Sequence, residues 1–281
     1  MKRLLILTAV LLLALAAAGC VSEPASDKPV IAVSIVPEET FVKAVAGDLA
    51  DIIVMIPPGS NPENYEPTPA QREKLETASL YFAIGVPAES QILRLLPATA
   101  QNKIIFLNKA AAEVYPELSI GDSPDPHVWL SPKRAAVMVE TIAGVLADAD
   151  PENQAVYQAN AAAYIAELKS LETEIVGILE GAPQKTFIVY HPAFGYFAAD
   201  FGLTQIALED EGKEATMAHL MEMVDFAKAN GIKVIFYQDE IDSSQAQAFA
   251  EEIGGKAVAL SPLAADYAAN LKTMAEAIAN Q

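Results

Sequence analysis

The sequence predicts an α/β protein of two lobes, each a parallel β-sheet flanked by helices, joined by one long helix. Three observations support this. Short β-type runs alternate with amphipathic helical stretches near both ends of the chain, and βαβα alternation indicates a parallel sheet covered by helices. Between them, residues 152–179 are rich in Ala, Glu and Leu with apolar residues at helical spacing, long for a globular helix. The chain of 281 residues is also long enough for two modest domains.

The elements follow in order. Residues 30–35 form a short β-type run. Residues 41–51 read as helix and 52–56 as a second strand, closed by Pro57-Pro58-Gly59. Residues 68–78 are amphipathic and helical, 80–84 the next strand, and 103–107 another. Pro132 sits early in a helix over 133–148, as first-turn positions allow, and Asp150-Pro151 breaks it. The long helix then runs to Gly181-Ala182-Pro183. The βα pattern resumes with strands at 186–190, 204–208, 234–237 and 257–260. Helices at 193–201, 216–230, 243–253 and 264–280 alternate with them. The expected division is a leader over 1–20, a tether over 21–29, an N-terminal lobe over 30–151, a linking helix over 152–181 and a C-terminal lobe over 182–281. Open parallel sheets bind ligands beyond the carboxyl ends of their strands, so the cleft between lobes is the expected site.

Residues 1–20 read as a secretory signal: Lys2 and Arg3, then an apolar run over 4–18 broken only by Thr8. The run falls short of the roughly 20 apolar residues a membrane span needs. Ala17-Ala18-Gly19-Cys20 resembles a lipobox, with Ala17 where leucine is usual. Cys20 is the one cysteine, which excludes an intrachain disulfide and makes it the expected lipidation site. Residues 21–29 have the polar, Ser/Pro-bearing character of a tether. The expected location is the extracytoplasmic face of the membrane, anchored by lipid. The formal charge is −19; losing Lys2 and Arg3 with the leader takes 18 basic residues to 16 against 37 acidic, or −21. That charge argues against nucleic acid and against binding along an anionic membrane surface, and its field gathers cations.

There are three histidines, and imidazole is the commonest protein ligand for a divalent transition metal. His127 follows a loop rich in Pro, Gly, Ser and Asp. It can point into the cleft or pack on Trp129 at the surface. His191 directly follows an apolar strand, where ligand-binding residues of α/β sheets concentrate; the alternative is a strand-end histidine bonded to a neighbouring helix. His219 sits among Met217, Leu220, Met223 and Val224 and reads as a surface or interface residue. The segment from Pro57 to Pro69 is fixed by prolines and Gly59, and rigid irregular loops of this kind often build sites. Glu63 and Glu66 are its charged members.

At these motifs the chain resembles the substrate-binding lipoproteins of zinc/manganese ABC transporters. The resemblance rests on the loop ending Tyr65-Glu66-Pro67-Thr68-Pro69, on Asp125-Pro126-His127-Val128-Trp129-Leu130-Ser131-Pro132, and on His191 with Phe194-Gly195-Tyr196-Phe197. Glu209-Asp210-Glu211-Gly212-Lys213-Glu214 and Leu260-Ser261-Pro262-Leu263 also fit. It covers nearly all the mature chain and implies two α/β lobes on a rigid helix that allows little lobe movement. It places His127 and His191 at ligand positions. Glu63 stands where the family's first histidine ligand belongs, and Ser261 where a fourth carboxylate often does. The acidic stretch Gln238-Asp239-Glu240 offers Asp239 as a substitute fourth ligand, and the His-rich loop of many zinc members is missing before Asp125.

A Glu/His/His set still offers zinc three ligands with one position open for water or Asp239. A carboxylate in place of an imidazole leans toward manganese or iron, whereas two imidazoles keep zinc in front. The expected function is capture of a divalent transition metal, zinc first and manganese second, and its delivery to an ABC permease and its ATPase by a monomer. The metal is cargo, and no catalytic cofactor is expected. The alternative is a binding protein of the same fold whose cargo is not a bare metal, in which case Glu63 would turn away from the histidines. An enzyme is not expected, because nucleophile elbow, His-Glu-x-x-His and phosphate-loop motifs are absent from the sequence.

Overall fold

The computed structural model describes residues 28–96, 103–209, 215–241 and 243–281. The leader, Cys20, most of the tether and the stretch Asp210-Glu211-Gly212-Lys213-Glu214 lie outside the described residues. In the first lobe the order is β1 (Val30–Val33), α1 (Val36–Ala46), β2 (Asp51–Val54), α2 (Pro69–Glu76), β3 (Leu80–Ala83), α3 (Glu89–Ile92), β4 (Ile104–Phe106) and α4 (Leu107–Val114). A small antiparallel hairpin, β5 (Ser119–Ile120) with β6 (Ser123–Pro124), leads toward His127. Next come α5 (Pro132–Ala149) and the long α6 (Gln154–Glu180). The second lobe holds β7 (Thr186–Val189), α7 (Gly195–Phe201), β8 (Thr204–Ala207), α8 (Met217–Ala229), β9 (Val234–Tyr237), α9 (Ser244–Glu252), β10 (Lys256–Ala259) and α10 (Tyr267–Ala279).

Both four-stranded sheets are parallel, ordered β2-β1-β3-β4 and β10-β9-β7-β8. The first strand of each lobe is central, with connections leaving it on both sides. That is the switch point at which such sheets open a crevice beyond their carboxyl ends. The fold is the predicted one: two α/β lobes and a 27-residue helix between them. Helix α6 packs against α1, α5 and α10, burying Leu168, Leu171, Ile175 and Leu179 at helical spacing. One apolar cluster runs from Phe82 in the first sheet to Val189 and Phe236 in the second. The lobes therefore share a core. Ile188, Ile235 and Phe249 belong to a second cluster in the C-terminal lobe. Among the described residues, no helix is long and apolar enough to cross a membrane.

The structure departs from the sequence reading in several places. Helix α1 starts at Val36 rather than residue 41, because Pro37 fits the first turn and the Glu38 carboxylate accepts from the Ile35 N–H at 3.0 Å. It stops at Gly47, whose φ of 56° ends the helix before Asp51 begins β2. Helix α4 was not expected: strand β4 passes into it at Leu107 with no intervening turn, so no punctuating residue marks the change. The loop before His127, read as rich in Pro, Gly, Ser and Asp, contains the hairpin.

Candidate metal centre

Each candidate ligand is fixed by local chemistry. Glu63 lies in the loop between β2 and α2. There its N–H donates to Asn61 Oδ1 at 2.9 Å, and Ala88 N donates to Pro62 O at 3.0 Å. Thr68 caps α2 with Pro69 in the first turn, and Gln71 ties the loop to β2 through Nε2 donating to Met55 O at 2.9 Å. His127 opens the short 3-10 turn Val128–Leu130 that precedes the Ser131 cap of α5. His191 comes two residues after β7.

The loops bring three side chains together. Among the described residues, Glu63, His127 and His191 each offer a ligand atom, and these atoms all lie within 4.8 Å of one another. His191 Nε2 is 3.9 Å from Glu63 Oε1, and the two imidazole rings meet edge to face with centroids 5.2 Å apart. Ligands about 2.0–2.1 Å from a tetrahedral zinc stand about 3.3–3.4 Å apart, so an ion closes this triangle by small side-chain adjustments. Both histidines are buried, 5% and 6% exposed. The Glu63 side chain is 38% exposed and forms the rim. Glu63 does not turn away from the histidines.

The rings are held in one tautomer. His127 Nδ1 lies 2.8 Å from Asp125 Oδ1, which also accepts the His127 N–H at 2.9 Å. His191 Nδ1 lies 2.6 Å from Glu209 Oε2. With Nδ1–H donating to a carboxylate, each ring presents the Nε2 lone pair, the arrangement of a metal-ligating histidine. Register explains Glu209: Val189 pairs with Ala207 across β7 and β8, and two residues further on come His191 and Glu209. Gly195 makes room for Asp125, since a Cβ there would sit 2.8 Å from Asp125 Oδ2. Neither Asp125 nor Glu209 was singled out as a ring holder from sequence. The signals were an aspartate two residues before His127 and a glutamate after the strand beside β7.

Asp239 is not brought into the set; it is exposed on the turn after β9. Its buried neighbour Gln238 lines the small cavity against the three ligands instead. Ser261 is absent from that lining; its carbonyl accepts from Asn270 Nδ2 at 2.6 Å. His219 is remote from the cluster, on α8, where its N–H donates to the Thr216 cap. An open cleft of about 970 Å³ leads to Glu63, His127 and His191. Glu113, Glu117 and Asp122 line it against a single basic residue, Lys109, so its field draws cations inward.

Fold and cleft together define a two-lobed α/β binding protein with its ligand set at the carboxyl ends of both sheets. The chain belongs to the zinc-uptake complex component A family of periplasmic proteins, whose model matches residues 31–281. It is 32% identical over 280 residues to the zinc-binding lipoprotein AdcA of Streptococcus pneumoniae strain R6, covering 94% of this chain and 56% of that one. It thus spans about half the length of that relative. It is 29% identical over 252 residues to the high-affinity zinc uptake system protein ZnuA of Bacillus subtilis strain 168, covering 84% and 79%. A crystal structure of ZnuA superposes with a TM-score of 0.84 at 38% identity, covering 90% of this chain and 99% of that one. By name these relatives bind zinc or serve its uptake.

Proposed function

We propose that this chain is an extracytoplasmic receptor that captures zinc, with manganese second, between Glu63, His127 and His191. It delivers the ion to an ABC permease and its ATPase. It acts as a monomer, held at the outer face of the membrane by lipid on Cys20. The observation that carries the reading is the convergence of three ligand atoms within 4.8 Å, both rings having Nδ1 on a carboxylate. Two imidazoles and one carboxylate suit zinc, and the carboxylate leaves room for manganese. The fourth place falls to water, since Asp239 stands outside the set. The relatives' names, zinc-binding lipoprotein and zinc uptake system protein, support cargo, anchor and partner alike. The permease and ATPase are the membrane components such an uptake complex needs.

Elemental analysis of protein purified without chelator, beside His191→Ala, tests the reading. Wild type is expected to carry about one equivalent of zinc and the variant far less. Added zinc should stabilise the wild type by about 2.7 kcal/mol at a hundredfold excess over its dissociation constant. A wild type without metal, and without a thermal response to zinc or manganese, refutes the proposal.

A further inference from the structure

We propose that Gln238 is a positioning residue for the bound ion: its Nε2–H donates to the Glu63 carboxylate oxygen that the ion leaves free. The inference rests on the receptor reading above and names what holds its most exposed ligand in place.

Gln238 follows β9, the neighbour of β7. Val189 pairs with Phe236 in that ladder, and two residues further along each strand come His191 and Gln238. His191 is therefore flanked by Glu209 from β8 on one side and Gln238 from β9 on the other. Glu209 is bonded to the ring. Gln238 is 5% exposed, and its Nε2 is buried without a hydrogen-bond partner. A buried donor in that condition is costly and calls for an explanation.

Gln238, Glu63, His127 and His191 line one cavity of about 10 Å³, close to the least space that holds a single water molecule. Val86, Trp129, Ile241 and Leu263 make much of its remaining wall, and their side chains carry no acceptor. The Trp129 Nε1–H is already donated to Pro262 O at 2.8 Å. Asn61 also faces the cavity, with its Oδ1 engaged by Glu63 N. The one carboxylate among the lining residues, and so the strongest acceptor facing Gln238, is that of Glu63. An ion binding one Glu63 oxygen draws the side chain in from the rim and turns the other oxygen toward the cavity. Ligating carboxylates are ordinarily hydrogen-bonded in this way. An amide serves better here than a carboxylate would, because Glu63, Asp125 and Glu209 already surround a doubly charged ion. Gln238 thus matches a glutamate at position 63 rather than a histidine, whose ring bears no spare carboxylate oxygen.

A double-mutant cycle on zinc affinity tests this, using full-length wild type, Gln238→Met, Glu63→His and the double variant in competition with a chromogenic chelator. Beside Glu63, Gln238→Met is expected to weaken zinc binding about 10- to 100-fold. Beside Glu63→His the same change should cost less than about threefold, the difference being the coupling. The metal-free thermal midpoint of each protein separates a damaged fold from lost ligation, with Gln238→Leu as the second variant. Equal losses in both backgrounds, as a purely structural role would give, overturn the assignment, and so does no loss beside Glu63. A wild type that binds no zinc overturns the receptor reading itself.

Discussion

Replacing Glu38 by glutamine should stabilise the protein increasingly as pH rises. Glu38 and Glu89 are buried together beyond the carboxyl ends of β1 and β3, 0% and 4% exposed. Glu89 has three donors: Ile84 N at 2.7 Å, Gly85 N at 2.9 Å and the Ser34 hydroxyl. Glu38 has two, Ser34 N at 2.9 Å and Ile35 N at 3.0 Å, both on Oε2, while Oε1 has none. Burial, then the neighbouring Glu89 charge, pushes the Glu38 carboxyl well above its ordinary value of 4.5. Burial raises Glu89 as well, against its three donors. Both backbone donors to Glu38 sit on Oε2, so Oε1 is the oxygen free to carry a proton. A raised carboxyl binds its proton more tightly folded than unfolded. Its contribution is fully present below pH 4.5 and is lost as pH rises toward the folded value. While the folded carboxyl keeps its proton, each pH unit above 4.5 costs the wild type at most about 1.4 kcal/mol. Glutamine has the shape of the protonated acid and never ionises. Urea unfolding at pH 5, 6 and 7 with chelator present should show Glu38→Gln close to wild type at pH 5 and pulling ahead by up to that amount per pH unit toward pH 7. A difference that stays flat or shrinks over that range refutes the reasoning. The cluster matters to the site because Glu89 braces the turn whose Ala88 N–H holds Pro62, next to Glu63.

Two further perturbations follow from the geometry. Gly195→Ala puts a methyl group 2.8 Å from Asp125 Oδ2; displacing the His127 partner should weaken zinc binding about 10- to 100-fold by calorimetric titration while the metal-free fold persists. Asp200→Ala strips Lys133, Arg134 and Ser131 of their shared acceptor and leaves Arg134 buried; thermal unfolding should register a loss of about 3–5 kcal/mol.

Much of the architecture was legible because α/β alternation is written in local periodicity. The long helix could be read from residue 152 because nothing interrupts its apolar spacing before Gly181. Helix α4 could not, since β4 runs into it without a glycine, proline or polar cap at the joint. His127, His191 and Glu63 were legible through their motifs. What those motifs lacked was the lateral dimension of the sheet. Glu209 and Gln238 stand beside His191 from neighbouring strands, 18 and 47 residues away along the chain, and only register brings them level. Asp239 was preferred for its charge. Successive residues past a strand point to opposite faces, and it is Gln238 that turns inward. Both faces of β9 are covered, so burial pattern alone does not separate the two.

In the proposed receptor, the way the lobes are joined decides where an ion would enter and leave. Glu63 and His127 come from the first lobe and His191 from the second, so opening the lobes would release the ion. Yet the seam beside the site is cross-linked. Trp129 Nε1–H donates to Pro262 O, Tyr267 O–H to Trp129 O at 2.6 Å, and Thr40 O–H to Ala265 O at 2.9 Å. Asp200 joins α7 to Lys133 and Arg134 at the start of α5. The lobes also share one apolar core, and cores are not continuously deformable. Opening would have to break these contacts together. His127 and His191 are buried and each pinned through Nδ1 to a carboxylate, whereas the more exposed Glu63 side chain faces the acidic cleft with the proposed Gln238 contact alone to give up. The least costly path therefore runs through the Glu63 side chain, which can swing outward while both histidines keep their places.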